Sequence, residues 1–311
     1  SAKMTRSKAM DETVLLGGGG GGSAQATLLI DGSIEKPMLG RYQVEKELGK
    51  GAMGVVYLGR DPKINRTVAI KTMALAQEFD EDEIDDVKER FFREAETAGR
   101  LSHPNIVTIF DAGEEHDLAY IAMEFLKGQD LSELVKGERQ FDLPEVIDIV
   151  IASADALAYA HAQNVVHRDI KPANIMYEPE TRSVKLTDFG IARITDSNKT
   201  KTGMVLGTPS FMSPEQLAGK RVDGRSDLFS LGVMLFQLSS GSLPFRGDSM
   251  ATLMFQIANE PHPNILDIKP DLPPCLKAVV DRALTKSADD RYATGTEMAS
   301  DLRACKEQLT A

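Results

Sequence analysis

The stretch VVHRDIKPANIMYE at residues 165–178 mixes strongly polar side chains with apolar residues typical of buried strands. Its polar members are His167, Arg168, Asp169, Lys171 and Asn174. A charge that is buried in a protein must be paired or held at a site, because its removal from water is costly. We therefore expect this stretch to contribute to a functional site and not only to a hydrophobic core.

The overall composition indicates a globular protein with a sizeable core. Of its 311 residues, 42% are apolar and 27% are charged, and a chain of this length suits two lobes around a cleft. The 36 basic residues are outnumbered by 47 acidic ones, which gives a net charge of −11. Nucleic acid is therefore not expected as the main partner, although a local basic pocket would still bind a small anionic ligand.

Two further features bear on location. No run of about 18 apolar residues and no secretory signal occur, so we expect no membrane segment in this chain. Cys275 and Cys305 are far apart in sequence and lack metal-ligand spacing, which favours reduced cysteines and a cytoplasmic location. The chain begins Ser-Ala, which suggests an added start or an internal fragment, and in a fragment a membrane tether would lie in the missing part.

Residues 1–40 are predicted to form a flexible Gly-rich tail. Six consecutive glycines, Gly17 to Gly22, cannot pack a core and lose much conformational entropy if they become ordered. Short apolar pieces flank them, TVLL at 13–16 and ATLLID at 26–31. The tail is interpreted as disordered peptide, with a docking peptide as the alternative.

From Tyr42 onward, alternating apolar and polar residues predict a small antiparallel sheet. Strands are expected within 42–61 and 66–75, a helix at 87–102 and two more strands after it. Beyond Gly128 the spacing becomes helical, as at 143–163. The segment SDLFSLGVMLFQLSSG at 226–241 is apolar all round, so this helix should be buried on every side. The predicted fold class is α+β, with a β-rich lobe and a larger helical lobe.

The stretch LGKGAMGVV at 48–56 has the form G-x-G-x-x-G-x-V. Glycines allow backbone N–H groups to close over phosphate oxygens. A dinucleotide-binding fold would need a helix after the glycines, but the strand-like VVYLG follows instead. The residues predicted to cover the nucleotide are Leu48, Gly49, Lys50, Gly51, Ala52, Met53, Gly54, Val55 and Val56.

The lysine of VAIK at 68–71 becomes informative if a nearby helix offers it a carboxylate. Glu94 is the predicted partner, and Glu96, on a different helical face, is the alternative. A pair between Lys71 and Glu94 beside the glycine-rich stretch would hold nucleotide phosphates.

The polar residues of the opening stretch suit phosphoryl transfer to a hydroxyl group. Asp169 would accept the proton of the substrate, Lys171 would offset negative charge, and Asn174 would bind a metal ion. Asp188, in TDFG at 187–190, would bind metal ions that bridge the phosphates. A structural ion-pair network would explain any one of these residues, but not all of them in this order.

With these motifs in order, and with GTPSFMSPEQ (207–216), SDLFSLG (226–232) and DRYAT (290–294) after them, the chain resembles a eukaryotic-type serine/threonine protein kinase of the bacterial branch. The resemblance covers about 42–305, with an N-lobe at about 42–126 and a C-lobe at about 127–305. It implies ATP and Mg²⁺ as cofactors, with Mn²⁺ as the alternative metal, and proteins carrying Ser or Thr as substrates.

The resemblance also implies roles for further residues. Those expected around adenine are Val56, Ala69, Met123, Glu124, Leu126 and Met176, with backbone bonds from Glu124 and Leu126. Glu215 would pair with Arg291, and Asp227 would brace the backbone at His167 and Arg168. Ser213 stands where the family usually has Ala.

Thr200 and Thr202 in NKTKTGM lie where bacterial relatives autophosphorylate, so we predict that these two residues carry a switch. Arg168 would receive such a phosphate through charge-assisted hydrogen bonds. The alternative is that both are ordinary loop threonines. Relatives of this kind often self-associate through their small lobes, which would allow one copy to phosphorylate another.

Other hypotheses remain open. The acidic run at 78–89 is interpreted as a solvated helix start, with steering of basic substrates as the alternative. Phosphorylated Thr13 or Thr27 would suit a phosphothreonine-reading partner. A pseudokinase would be expected to lack Lys71, Asp169 or Asp188, and all are present.

Overall fold

The structure is a computed structural model that describes residues 28–30, 33–35, 37–50, 54–115, 117–189 and 209–310. The chain divides into two compact units. Within the described residues, the β-rich unit comprises the chain up to Arg100 together with Thr108–Leu126, and the helical unit comprises Leu101–Val107 and the residues from Lys127 onward. The predicted α+β class, with a β-rich lobe and a helical lobe, is confirmed.

The β-rich unit is built on a six-stranded antiparallel sheet in the order β3-β4-β5-β6-β8-β7. Its strands are β3 (Met38–Leu39), β4 (Tyr42–Lys50), β5 (Val55–Asp61), β6 (Arg66–Met73), β7 (Ile109–Glu115) and β8 (Leu118–Glu124). Strands form here because β-branched and aromatic residues alternate with polar ones, as in RTVAIKTM of β6.

The strands begin earlier than the predicted boundary at residue 40. β1 (Leu28–Ile30) and β2 (Ser33–Glu35) pair as a hairpin, and β3 pairs with the start of β4 through a turn at Gly40. Gly40 has a φ of 56°, which glycine adopts without a steric penalty. The segment LLI at 28–30 therefore contributes to a strand, whereas the sequence pattern predicts a tail there.

One face of the sheet carries a closed apolar group, which we call the Tyr42 cluster. Its members are Tyr42, Val68, Ile70, Tyr120 and Ala122. All are at most 6% exposed, and the rings of Tyr42 and Tyr120 meet edge to face. The members of this cluster come from three strands of the sheet, β4, β6 and β8.

Among its described residues, the β-rich unit contains the helices α1 (Leu75–Glu78) and α2 (Glu81–Gly99). The buried residues of α2 recur along one stripe, at Val87, Phe91, Ala95 and Ala98. The helix begins six residues before the predicted start at 87, because three acidic residues in its first turn favour the positive end of the helix dipole.

The helical unit contains the remaining helices of the described chain. They are α3 (Leu131–Lys136), α4 (Leu143–Ala162), α5 (Pro214–Leu217), α6 (Gly224–Ser240), α7 (Met250–Asn259), α8 (Ile265–Ile268), α9 (Pro274–Ala283) and α10 (Gly295–Thr310). The residues from Ser226 to Phe236 are all buried, so the predicted central helix is confirmed. Helices α4 and α9 pack against α6.

A small three-stranded sheet, ordered β11-β10-β9, lies in the same unit. Its strands are β9 (Gln129–Asp130), β10 (Ile175–Glu178) and β11 (Ser183–Leu186). The segment 101–107 joins it, since Asn105 donates to the carbonyl oxygen of Val184 at 2.9 Å and accepts from the N–H of Leu186 at 2.8 Å. Sequence periodicity had not assigned this segment to the helical unit.

The two cysteines are paired, contrary to the expectation of reduced thiols. Cys275 in the first turn of α9 and Cys305 near the end of α10 form a disulfide, with 5.5 Å between their Cα atoms. Their separation of 30 residues hides a proximity that arises only when α9 and α10 pack together. No helix in the described part of the chain is long and apolar enough to cross a membrane.

Candidate active site

Four side chains predicted to line the nucleotide site lie on one face of the six-stranded sheet. Directly opposed residues in neighbouring strands point to the same side. Val56 is opposite Lys71, and Ala69 is opposite Met123. Because Ala69 and Lys71 are two residues apart in β6, both pairs share a face. The other face of the sheet carries the Tyr42 cluster.

The glycine-rich stretch leaves the sheet after Lys50 and returns to it at Val55, and these two residues are opposite each other. A Cβ atom at Gly54 would lie 1.7 Å from the carbonyl oxygen of Thr72, so only glycine fits there. The Thr72 hydroxyl also donates to the Val55 carbonyl at 2.8 Å.

Leu48 is 42% exposed, and Lys50 Nζ lies 3.9 Å from Glu47 Oε1. Gly51, Ala52 and Met53 fall outside the described residues.

Lys71 and Glu94 are both half-buried members of the β-rich unit. Glu94 shares its helical stripe with the buried residues Phe91 and Ala98. Glu96, the alternative carboxylate, is 67% exposed and accepts a hydrogen bond from Arg100 at 2.7 Å. These positions favour Glu94 as the partner of Lys71, and the pairing itself stays a prediction.

Met123 and Glu124 end strand β8, and Leu126 follows in the connection to the helical unit. The backbone N–H of Glu124 donates to the carbonyl of Thr108 at 2.9 Å, and its carboxylate accepts from the Thr108 N–H at 2.9 Å. Of the two Glu124 backbone groups, the carbonyl would therefore be the one to contact adenine. In the helical unit, Met176 is half-buried in β10.

Asp169, Lys171 and Asn174 converge in the helical unit. Asn174 Nδ2 donates to the Asp169 backbone carbonyl at 2.7 Å and to its Oδ2 at 3.1 Å. Lys171 Nζ lies 3.4 Å from the same Oδ2. A 3₁₀ turn at Pro172–Asn174 folds the chain back to allow these contacts. The result is a partly exposed carboxylate beside a cation, an arrangement that can accept a proton next to developing negative charge.

His167 is fully buried. It connects the stretch at 165–178 with TDFG at 187–190. Its Nε2 donates to the Thr187 carbonyl at 2.6 Å, and its Nδ1 accepts the N–H of Asp169 at 3.1 Å. One donor and one acceptor are the pattern of a neutral imidazole. The His167 ring also lies 4.5 Å from that of Phe189, so this residue holds the backbone on both sides of the site.

Asn174 and Asp188 flank one antiparallel ladder. Ile175 is opposite Leu186, and the Thr187 N–H donates to the Asn174 carbonyl at 2.9 Å, so Asp188 follows directly after the paired residues. Asp188 has a φ of 64°, an uncommon conformation that recurs at functional sites.

Asn174 and Asp188 supply oxygen ligands of the kind that Mg²⁺ prefers. The Nδ2 group of Asn174 faces Asp169, which leaves the Oδ1 side of the amide as a ligand. Mg²⁺ commonly binds one or two carboxylates together with substrate phosphates, so these residues fit the metal. The phosphates would be needed as ligands, because within the described part of the chain no group of three or more His, Cys, Asp or Glu side chains could hold a metal ion.

Asp227 braces the backbone before Asp169. Its carboxylate is 1% exposed and accepts hydrogen bonds from the backbone N–H groups of His167 and Arg168, both at 2.8 Å, and from His161 Nε2 at 2.7 Å. Burial alone would raise the pKa of Asp227, but the hydrogen bond from His161 and the neighbouring donors hold it below 3.8. The predicted bracing role is confirmed.

Comparison with known sequences decides the family. The chain matches the protein kinase domain over residues 42–302, a range that contains both polar stretches and the glycine-rich stretch. The chain belongs to the protein kinase family.

Several bacterial relatives of this kinase domain are similar to it over most of its length. It is 38% identical to the serine/threonine-protein kinase pkn3 of Myxococcus xanthus, over 89% of this chain and 52% of that protein. It is 37% identical to the serine/threonine-protein kinase PrkC of Bacillus subtilis, over 87% and 41%, and 39% identical to the serine/threonine-protein kinase PknB of Mycolicibacterium smegmatis, over 84% and 42%. The chain thus spans about half or less of the length of these relatives.

Two further expectations for the kinase domain can be compared with the structure. Arg291 donates to both oxygens of Glu215, at 3.0 and 3.1 Å, so the predicted buried pair is confirmed. Thr200 and Thr202 lie outside the described residues, and their modification stays a prediction.

Three contacts of the kinase domain were not predicted. His161 reaches Asp227 from α4, and a Cβ at Gly224 would lie 2.5 Å from the His161 ring. Gln216 donates through Nε2 to the carbonyl of Arg168 at 2.9 Å. Ser213 and Gln216 also form a capping box at the start of α5, a pattern that the spacing S-x-x-Q could have indicated. The residue that replaces the usual Ala thus caps a helix.

Proposed function

We propose that this chain is an ATP-dependent serine/threonine protein kinase that transfers the γ-phosphoryl group of ATP to Ser and Thr hydroxyls of proteins. The observation that carries the proposal is the convergence of Lys171 and Asn174 on the Asp169 carboxylate. The names of the bacterial relatives support the same activity.

In this proposal Asp169 orients the substrate hydroxyl and accepts its proton as the oxygen bonds to the γ-phosphorus. The bond from that phosphorus to the departing ADP oxygen breaks, and Lys171 offsets charge on the moving group. Asn174 and Asp188 would hold the metal, which would neutralise charge on the phosphate oxygens. Lys71, positioned by Glu94, holds phosphates from the β-rich unit.

The remaining contacts are assigned to nucleotide binding. The glycine-rich residues Leu48 to Val56 cover the phosphates. Val56, Ala69 and Met176 enclose the adenine, while backbone groups of Glu124 and Leu126 bond its edge beside Met123. Mg²⁺ is the proposed metal, and Mn²⁺ is an alternative that the same oxygen ligands would accept.

Incubation with Mg-ATP followed by intact-mass measurement and site mapping tests the activity. The parent protein should gain phosphate, whereas Asp169→Asn and Lys71→Met variants should gain none. Lys46→Met, at an exposed position in β4 of the same sheet, is the matched control and should behave as the parent does. Phosphate transfer by Asp169→Asn at the parental rate would contradict the assignment. ATP binding by a parent that transfers nothing would support a nucleotide-binding module instead.

The domain is proposed to activate itself by phosphorylation of Thr200 and Thr202. Phosphates there would find the Arg168 guanidinium as a charge-assisted hydrogen-bond donor. A Thr200→Ala/Thr202→Ala variant should lose most of the activation that follows incubation with ATP, while Ser197→Ala in the same segment should keep it. Unmodified Thr200 and Thr202 in fully active enzyme would rule the switch out.

Transient self-association would let one copy modify another. Mixing the parent with a size-tagged Asp169→Asn variant tests this proposal, because phosphate on the inactive partner can only come from the parent. A rate of modification that is independent of protein concentration, with no phosphate on the partner, would exclude transfer between copies.

Two proposals concern partners and location. Thr13 and Thr27 are each followed by an apolar residue three positions on, Leu16 and Ile30. Phosphopeptides of these segments should bind a phosphothreonine-reading domain, and absence of binding relative to the unphosphorylated peptides would end the idea. A cytoplasmic location, free or tethered to a membrane through a longer chain, is proposed because ATP is available there.

A further inference from the structure

The peptide unit of Arg168 adopts an uncommon conformation directly before Asp169. Its φ of 75° lies in the left-handed region, which non-glycine residues avoid because their Cβ approaches the backbone. Such a conformation persists only when the surrounding structure holds it in place. The contacts that hold this peptide are made by Asp227 and Gln216.

Asp227 holds the N–H of Arg168. Its Oδ1 accepts that N–H at 2.8 Å, while its Oδ2 accepts His161 and the N–H of His167. With three donors on a buried carboxylate, the position of Oδ1 is well determined. One end of the Arg168 residue is thereby anchored to the start of α6.

Gln216 holds the other end. Its Nε2 donates to the Arg168 carbonyl at 2.9 Å, and its Oε1 accepts the Ser213 N–H at 3.0 Å. Because a backbone N–H can only donate, the oxygen end of the amide must face Ser213 and the nitrogen end must face Arg168. The fully buried Ser213 hydroxyl accepts the backbone N–H of Gln216 at 3.2 Å and donates to Ser226 at 3.0 Å, so it caps α5, whereas the Ser213 N–H orients the amide of Gln216.

We propose that Gln216 is a positioning residue that, together with Asp227, holds the Arg168 peptide in its left-handed conformation and so sets the direction of the Asp169 carboxylate. This inference rests on the proposed role of Asp169 as the proton acceptor. Gln216 does not touch the reacting groups and acts only through Arg168. Loss of its donor frees the carbonyl of Arg168 and allows the peptide to rotate toward a common conformation, which would misplace Asp169.

The substitution Gln216→Glu separates this role from helix capping. Glutamate at the third helical position is a favoured capping-box residue, so its carboxylate keeps the acceptor for Ser213. It offers no donor to the Arg168 carbonyl. Ser213→Ala is the matched control, because it removes the hydroxyl and keeps the N–H that orients Gln216.

Steady-state kinetics on a phosphorylatable Ser/Thr protein and amide hydrogen exchange of residues 165–170 form the test. For Gln216→Glu we expect kcat to fall about 10- to 100-fold, with KM for ATP unchanged and exchange at Arg168 accelerated. The melting temperature should fall only modestly, because one hydrogen bond is lost. Ser213→Ala should keep kcat within about threefold of the parent. Parental kcat and parental exchange in Gln216→Glu would overturn the inference. An equal loss of kcat in Ser213→Ala would also overturn it, as would a Gln216→Glu variant in which only the KM for ATP changes.

Asp169→Asn separates this inference from the proposed function. Retained activity in that variant would refute the role of Asp169 itself. An inactive Asp169→Asn beside a fully active Gln216→Glu would refute only the positioning role of Gln216.

Discussion

Arg291 and Glu215 form a buried ion pair in which the guanidinium donates to both carboxylate oxygens, at 3.0 and 3.1 Å. The Arg291 side chain is 0% exposed, and that of Glu215 is 14% exposed. Arg291 also donates to the backbone carbonyls of Thr285 and Arg225. The pair therefore links α5 to the start of α6 and to the segment after α9.

Removal of the Glu215 carboxylate should lower the stability of the protein. A Glu215→Ala variant leaves the Arg291 charge buried without its partner, which is expected to lower the free energy of unfolding by about 3–5 kcal/mol. Urea denaturation measures the change. Glu89→Ala is the control, since its pair with Arg93 is 64–68% exposed and should be worth less than about 1 kcal/mol. Equal effects of the two substitutions would contradict the buried character of the pair.

The same pair should weaken in acid. Burial alone would raise the pKa of Glu215, but the hydrogen bonds and charge of Arg291 hold it below its ordinary value of 4.5. A depressed folded-state pKa stabilises the fold above pH 4.5 and loses that contribution as the pH falls through the folded-state value. The stability difference between the parent and Glu215→Gln should therefore shrink below pH 4.5. A constant difference from pH 7 to pH 3 in urea titrations would argue against the pairing.

Gly232 lies where α6 approaches α9. A Cβ atom there would be 2.7 Å from the Cβ of Ala283 and 3.3 Å from Leu284. Gly232→Ala should therefore destabilise the protein by about 1–3 kcal/mol despite the better helix propensity of alanine. Gly99→Ala is the matched substitution, because nothing lies within 4 Å of its Cβ position, and it should stabilise by about 0.5–1 kcal/mol. A stabilised Gly232→Ala, measured by thermal or urea unfolding, would show that the two helices can separate at no cost.

Lys286 should make stability rise in mildly alkaline solution. Its Nζ donates to the Gln256 carbonyl at 3.2 Å and lies 4.2 Å from the Phe245 ring. Burial is the main cause that lowers the pKa of Lys286 to about 8 from 10.5, while Glu260 acts in the opposite direction. Between these values the unfolded chain binds the extra proton, so this residue contributes stability that increases from pH 8 toward pH 10.5.

Urea denaturation of the parent and of Lys286→Met at several pH values checks the expectation. The stability of the parent relative to Lys286→Met should increase between pH 8 and pH 10. Lys136→Met, at a 72% exposed side chain, should show no such trend relative to the parent. The comparison should stop near pH 10, because burial raises the pKa of Tyr42 and of Tyr177 to about 12, and ionisation of the unfolded tyrosines then lowers stability. A flat difference for Lys286→Met would contradict the burial of this amine.

The bond between Cys275 and Cys305 should stabilise the helical unit. Closure of a loop with a sequence separation of 30 lowers the entropy of the unfolded chain by an amount equivalent to about 3.5 kcal/mol in the chain-entropy treatment. Reduction should therefore lower the free energy of unfolding by about 2–4 kcal/mol, whereas a Cys275→Ser/Cys305→Ser variant should not respond to reductant. Two titratable thiols in oxidised, denatured protein would show that the bond does not form.

Local patterns account for the features that were predicted correctly. Alternation in RTVAIKTM indicates both the strand β6 and the shared face of Ala69 and Lys71, because side chains of a strand alternate between faces. The apolar run from Leu228 to Phe236 indicates a helix buried on all sides for a similar reason. Periodicity is a property of neighbouring residues, so it can be read before any tertiary contact is known.

Features that depend on distant residues were missed. The Arg168 carbonyl meets Gln216 across 48 residues, and His161 meets Asp227 across 66. Neither pair has a local signature that identifies its partner, although S-x-x-Q does indicate the capping box. The strands before residue 40 were assigned to the tail because their segments are short and adjoin a run of glycines.

The sequence by itself determined the family, the order of the elements and the identity of the polar residues, because motif chemistry and periodicity reside in short stretches. Only the tertiary structure decided that Arg168 is left-handed and held at both ends, and that the two cysteines are paired. It also decided that residues 101–107 belong to the helical unit. These features arise from hydrogen bonds and packing between segments that are far apart along the chain, and such contacts are specified by the packed whole and not by any one stretch.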